Sequence, residues 1–236
     1  MDKFMSEHIV KSYDEQLNIL KNTIAKMGSL AEKQIKDATE AAIKQDQEFA
    51  DKIVGKDDRI DDLEKSIEEQ VVNLLTMRQP LAIDLRETVS AMKISSDLER
   101  IGDLSKNIAK RSRYLDKNIG HEINKNFSLV SEKVQKSVKT VLDAFLNRDT
   151  KLAEQVWNAD QEIDRLVDIC MNSILKCIEE KKDAAAPFSQ LMFMSKNLER
   201  IGDHATNIAE TVYFLVSGKY IEGDRPKGES GIVSGQ

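Results

Sequence analysis

Apolar residues recur at intervals of three and four over nearly the whole chain, the spacing that puts one buried stripe on an α-helix. Interruptions divide this pattern into helices over about 6–45, 48–77, 81–117, 121–147, 150–182 and 186–217. Asp46 and Asp149 stand where N-caps belong, and Pro80 and Pro187 stand at the starts of the third and sixth helices, where a missing N–H costs nothing. Gly218 follows the last apolar turn as a C-cap. From Glu222 onward Gly, Ser, Pro and charges dominate, which predicts a frayed tail.

The second half of the pattern repeats the first. Residues 97–110, DLERIGDLSKNIAK, match residues 197–210, NLERIGDHATNIAE, including LERIGD and the later Asn-Ile-Ala. Upstream, Asp46, Asp57 and Ile60-Asp61 match Asp149, Asp160 and Ile163-Asp164. The duplication therefore spans three helices. The expected fold is all-α: two tandem, pseudo-symmetric, antiparallel three-helix bundles over 1–119 and 120–218, followed by a flexible tail over 219–236. Whether the bundles stand side by side or end to end is not encoded in the periodicity.

Composition agrees with long amphipathic helices: of 236 residues, 40% are hydrophobic, 32% charged and 5% aromatic, with 3 Pro. A formal charge of -6 argues against a chain whose task is to neutralise a nucleic-acid backbone. The start carries no apolar run of signal-peptide length and no long uncharged apolar stretch occurs, so the expected location is cytoplasmic. Cys170 and Cys177, two turns apart on one helix, read as reduced, buried thiols. The basic run 106–113, KNIAKRSR, reads as a solvated helix face.

The candidate chemistry is in the carboxylates. On the third helix Leu85, Val89, Met92, Ser96, Glu99, Asp103 and Asn107 follow the spacing of a packed seam, apolar at one end and acidic at the other. Ile94, Leu98, Ile101, Ser105 and Ile108 form a second row, so this helix is expected to pack on two sides. The sixth helix repeats the arrangement with Met192, Glu199, Asp203 and Asn207 beside Met194, Leu198, Ile201 and Ile208. Asp57 and Asp61, and Asp160 and Asp164, are i, i+4 pairs beside the apolar row of the preceding helix. Brought together, four such carboxylates repel unless a cation, protons or Arg neutralise them. Hard oxygen ligands from facing helices suit Mg, Mn or Fe. Gly102 and Gly202 stand in mid-helix at a cost of about 1 kcal/mol each against Ala; either close helix approach or room for a ligand would use the missing side chain. His204 faces Leu104 in the alignment of the halves and reads as a local variation, not a repeated ligand.

The repeated LERIGD followed by NIA, the upstream Ile-Asp of each half, and Gln79-Pro80 with Asp84-Leu85-Arg86 resemble the PhoU family over residues 5–218. The resemblance implies two three-helix bundles related by a pseudo-twofold, each able to bind metal clusters at its surface. Carried over by position, it implies Asp57, Asp61, Glu99 and Asp103 for one metal site and Asp160, Asp164, Glu199 and Asp203 for the other, with Asn107 and Asn207 one turn further on. The metal would be Fe, Mn, Mg or Zn. Leu104 stands where the first repeat of the family often has His. The resemblance further implies a non-enzymatic, cytoplasmic, homodimeric negative regulator of the phosphate-starvation response. Its implied partners are the phosphate ABC transporter ATPase and the sensor histidine kinase of the phosphate regulon, with no nucleic acid and with membranes reached only through those partners. Two other readings stay open. One is a carboxylate-bridged metalloenzyme, although di-iron sites usually add a His at i+3 to a Glu and no such pair falls on the stripe. The other is a structural scaffold in which Arg100 and Arg200 pair the acids.

Overall fold

A computed structural model describes residues 2–55, 58–78, 83–115, 120–180 and 185–228. Its helices are α1 (Asp2–Lys44), α2 (Gln47–Val54), α3 (Asp58–Arg78), α4 (Ile83–Ser112), α5 (His121–Asn147), α6 (Thr150–Glu180) and α7 (Ala185–Ser217), and no strand occurs among the described residues. All six expected helical stretches are present, the second as the two segments α2 and α3. Gly55 closes α2 by donating its N–H to the Asp51 carbonyl at 3.1 Å. The third stretch ends at Ser112 rather than near 117, because the chain turns at Arg113–Tyr114 with the Tyr114 N–H on the Arg111 carbonyl at 3.0 Å. The expected cap at Pro80 lies outside the described residues.

The turns that start α2 and α6 are built alike. Gln45 and Arg148 both take left-handed backbone, with φ of 54° and 53°. Each is followed by the Asp expected as an N-cap. Asp46 N–H reaches the Ala41 carbonyl at 3.0 Å and Asp149 N–H reaches the Ala144 carbonyl at 2.9 Å, the six-to-one bond of a Schellman turn. The Asp46 carboxylate then accepts from Phe49 N–H at 2.9 Å, and that of Asp149 from Lys151 N–H at 2.8 Å. One residue thus ends a helix and the next begins another. Gly218, at φ 72°, closes α7 as expected.

α1 to α4 form one bundle and α5 to α7 the other, and the two stand side by side, with α4 on α7 and α1 on α5. α1 contributes Leu20, Ile24, Met27, Ala31, Ile35 and Ala38 to the core, and α5 contributes Ile123, Phe127, Val130, Val134, Val138 and Val141. Ile94, Leu98, Ile101, Ser105 and Ile108 of α4 are all fully buried, and α4 does pack on two sides. The other row read from α4 is not a packed seam. Leu85 is 42% exposed and Met92 41%, and Ser96 and Asn107 are exposed as well. A three-four spacing is satisfied by any lengthwise row on a helix. Here α1, α3 and α7 cover the rows on either side, lined by small residues such as Ala91, Ser95 and Ala109, and leave the Leu85–Asn107 row facing outward.

The α4–α7 crossing is antiparallel. Arg111 donates to the Gln190 side chain at 2.8 Å and lies over the Phe193 ring, 4.4 Å from its centre. At the other end Asp97 meets His204 at 2.8 Å. The basic run is therefore partly an inter-bundle surface rather than wholly solvated, with Ile108, Ala109 and Ser112 buried.

Close approach of helices explains the mid-helix glycines. A Cβ on Gly102 would stand 3.0 Å from Ile60 Cδ1, and one on Gly202 would stand 3.1 Å from Ile163 Cδ1. Ile60 and Ile163 are themselves a repeated pair, both buried. Substituting Gly202→Val should cost about 2 kcal/mol or more, since the branched side chain must displace a well-packed Ile. Chemical denaturation of the variant against the parent measures this.

Candidate functional site

Four of the candidate acids, Asp61, Asp103, Asp164 and Asp203, are placed by those Ile-on-Gly contacts. Asp61 and Asp164 immediately follow the isoleucines, and Asp103 and Asp203 immediately follow the glycines, so the closest helix approach carries an acid on each side. Glu99 and Glu199 lie one turn before Asp103 and Asp203. Asp57 lies outside the described residues.

In the second repeat the cluster is filled from within the chain. Arg225, in the segment after α7, donates Nε–H to Asp160 Oδ2 at 2.8 Å and Nη2–H to Asp203 Oδ1 at 2.7 Å, with Nη1 3.5 Å from Asn207 Oδ1. Asp160 is 1% exposed, and its other oxygen accepts from Thr206 Oγ1 at 3.1 Å. Asp164 Oδ2 accepts the Gly228 N–H at 2.9 Å. Glu199 turns away to Lys196 at 2.5 Å. Residues 219–228, expected as part of a frayed tail, instead lie against α6 and α7 through these bonds. Charge pairing supplies the ordering that their apolar content cannot.

The electrostatics follow the geometry. Burial raises the pKa of Asp164, the Gly228 N–H works against this, and the Asp160 and Asp203 charges add to it. Burial disfavours the Arg225 cation, but the hydrogen bond to Asp160 and the charges of Asp160 and Asp203 outweigh it and raise the Arg225 pKa. A guanidinium in this setting is a permanent charge.

The first repeat is built differently. Glu99 has its pKa raised by burial and then by Asp103, with Arg100 opposing at an Nε to Oε2 distance of 3.6 Å. Glu64 is raised by burial and then by Glu68, and it also feels Asp61 and Asp103. Glu64 therefore belongs to the electrostatic group although sequence reasoning missed it; its counterpart in the second repeat is Val167. Asn107 is exposed. Asn207 is engaged across the bundles, donating Nδ2–H to Asp97 Oδ1 at 3.3 Å beside the His204 contact. His204 is thus a tie between repeats. Its offset from Leu104 marked it as unlike its counterpart, but its partner could be found only once α4 lay against α7.

Hard oxygen donors on a close helix crossing fit a divalent or trivalent cation chemically. As arranged, however, no group of three or more His, Cys, Asp or Glu side chains among the described residues is gathered in a way that could hold a metal ion. In the second repeat Asp160 and Asp203 already bind Arg225, so the residues there do not fit a bare metal. Cys170 is buried, 3.5 Å from Ser195 Oγ, and neither cysteine is bridged.

The PhoU domain model matches twice, at residues 24–112 and 127–212. This chain belongs to the PhoU family. A phosphate-specific transport system accessory protein PhoU homolog of Caulobacter vibrioides is 39% identical over 224 residues, covering 94% of this chain and 97% of the relative. The crystal structure of PhoU from Pseudomonas aeruginosa superposes with a TM-score of 0.84 at 35% identity, covering 88% of this chain and 100% of that one. That of the phosphate transport system regulatory protein PhoU from Streptococcus pneumoniae gives 0.82 at 26%, covering 89% and 99%. The paired helical bundles are the architecture these PhoU structures share with this chain, and among the described residues no helix is long and apolar enough to cross a membrane.

The raised Glu99 pKa has a definite sign in stability. Between the ordinary Glu value, 4.5, and the raised one, the folded state binds more protons than the unfolded state, so stability falls as pH rises through that window. Glu99→Gln should flatten this slope and stabilise the chelator-treated protein at neutral pH, as read by urea denaturation across pH 4 to 8 in about half-unit steps. A steeper slope in the variant would contradict the burial and Asp103 effects.

Proposed function

We propose that this protein is a cytoplasmic, non-enzymatic regulator of phosphate uptake that keeps the phosphate-starvation response off when phosphate is plentiful. The observation that carries this reading is the double PhoU-domain match, together with near full-length similarity to relatives named as accessory or regulatory proteins of phosphate transport. In this reading it works as a homodimeric adaptor between the phosphate ABC transporter ATPase and the sensor histidine kinase of the phosphate regulon, and it touches the membrane only through them. Two rigid bundles with long helical faces suit an adaptor, because rigid surfaces bind without an ordering cost. The acids of the first repeat, Asp61, Glu99 and Asp103, are not gathered around an ion as they stand; in this reading their side chains turn together, with Asp57, to take a hard cation, Mn, Mg, Fe or Zn.

Deleting the gene in its native host should raise phosphate-starvation transcripts severalfold in phosphate-rich medium, and the intact gene should restore repression. Unchanged transcripts would remove the regulatory reading. Glu99→Ala with Asp103→Ala should lower the bound metal of the purified full chain while leaving its helical content intact; equal metal content would leave these acids with a structural role alone.

A further inference from the structure

The two repeats carry the same acids but not the same neutralising partner. In the second, one oxygen each of Asp160, Asp203, Asn207 and Asp164 meets the segment after α7. Arg225 spans Asp160 and Asp203 and touches Asn207, and Gly228 caps Asp164 through its backbone. These contacts reach 65, 22, 18 and 64 positions along the chain, so they are not the local pairs that any helix surface makes. Asp160 is almost fully buried, and a buried carboxylate without a partner is strongly unfavourable.

The route of the segment is built to deliver Arg225. Gly218 takes the left-handed conformation that turns the chain back, and the Ser217 hydroxyl fixes the turn by accepting the Lys219 N–H at 3.0 Å. Tyr220 then stacks on Phe214 of α7, with ring centres 5.0 Å apart and planes at 16°. At the far end Gly228 leaves no room for a side chain: a Cβ there would stand 2.7 Å from Asp164 Cβ, an atom that cannot swing away.

We propose that residues 219–228 form a strap that places Arg225 as the resident cation of the second carboxylate cluster, closing that cluster to metal ions. The duplicated acids thereby serve two ends. The second set binds a guanidinium supplied by the same chain, and a divalent cation enters only when the strap lifts. This assignment stands on the Arg225 geometry and does not depend on a role in phosphate regulation.

The test uses the full chain, stripped with chelator, with Mn2+ as the probe in calorimetry and with hydrogen exchange of the C-terminal peptide as a second readout. Arg225→Gln should bind one more Mn2+ per chain than the parent, and adding Asp203→Asn to that variant should abolish the gain. Arg225→Lys should keep the cluster closed. Gly228→Ala, which retains every charge, should speed exchange of the 219–228 amides severalfold and decides the matter if Arg225→Gln does not fold. Equal Mn2+ stoichiometry in the parent and Arg225→Gln overturns the proposal. So does loss of a bound Mn2+ when Asp203→Asn is made in the parent, or unchanged exchange in Gly228→Ala. A parent that binds no Mn2+ while Arg225→Gln gains an ion supports the strap and counts against the cation site of the first repeat, so the two readings fail separately.

Discussion

The contact of Ile60 on Gly102, and of Ile163 on Gly202, sets the geometry of the rest of the molecule. Each pairs a buried branched side chain with a position that has none, letting α3 approach α4 and α6 approach α7 more closely than two ordinary side chains would permit. A mid-helix glycine is unfavourable for the helix alone, so the gain must lie in packing. The same approach forces acids flanking the Ile and the Gly to face one another. Hydrophobic closeness and electrostatic crowding thus have one cause.

Crowded carboxylates require compensation, and the repeats answer differently. In the first, burial and mutual repulsion leave Glu64 and Glu99 easier to protonate than free glutamate, with Arg100 a partial counterweight. In the second, a guanidinium sits among the acids. A fixed internal cation forms its ion pairs in the folded chain whatever the surrounding medium contains, whereas a metal ion depends on supply. Identical motifs can therefore have unlike chemistry when one residue outside the motif differs.

Much of this is legible from local pattern. Caps at Asp46, Asp149 and Gly218 and the Ile94–Ile108 row depend on neighbours within a turn or two, and those neighbours are written next to one another. Duplication alone makes the acids stand out from the many other charged residues of the chain. Three things are not legible. The Leu85–Asn107 row matches the spacing of a seam, but which of several rows is covered depends on where α1, α3 and α7 lie. Glu64 has Val167, not an acid, as its counterpart in the second repeat, so symmetry cannot flag it. Arg225 sits in a polar, Gly-rich and Pro-containing stretch whose composition signals fraying, and its partners are mostly far away in sequence.

The antiparallel meeting of α4 and α7 bears on how such a chain arose. Asp97 faces His204 and Arg111 faces Gln190 in a single register, which sets residues 100–101 level with 200–201. Equivalent positions of the two halves thus come level with each other within the crossing, which is the signature of an isologous contact. A single ancestral half binding its own copy through this face would make the same contact twice. Fusion of two such copies would keep the contact and free each half to diverge, as the tie from His204 and the arginine brought by the distal segment have done on one side alone.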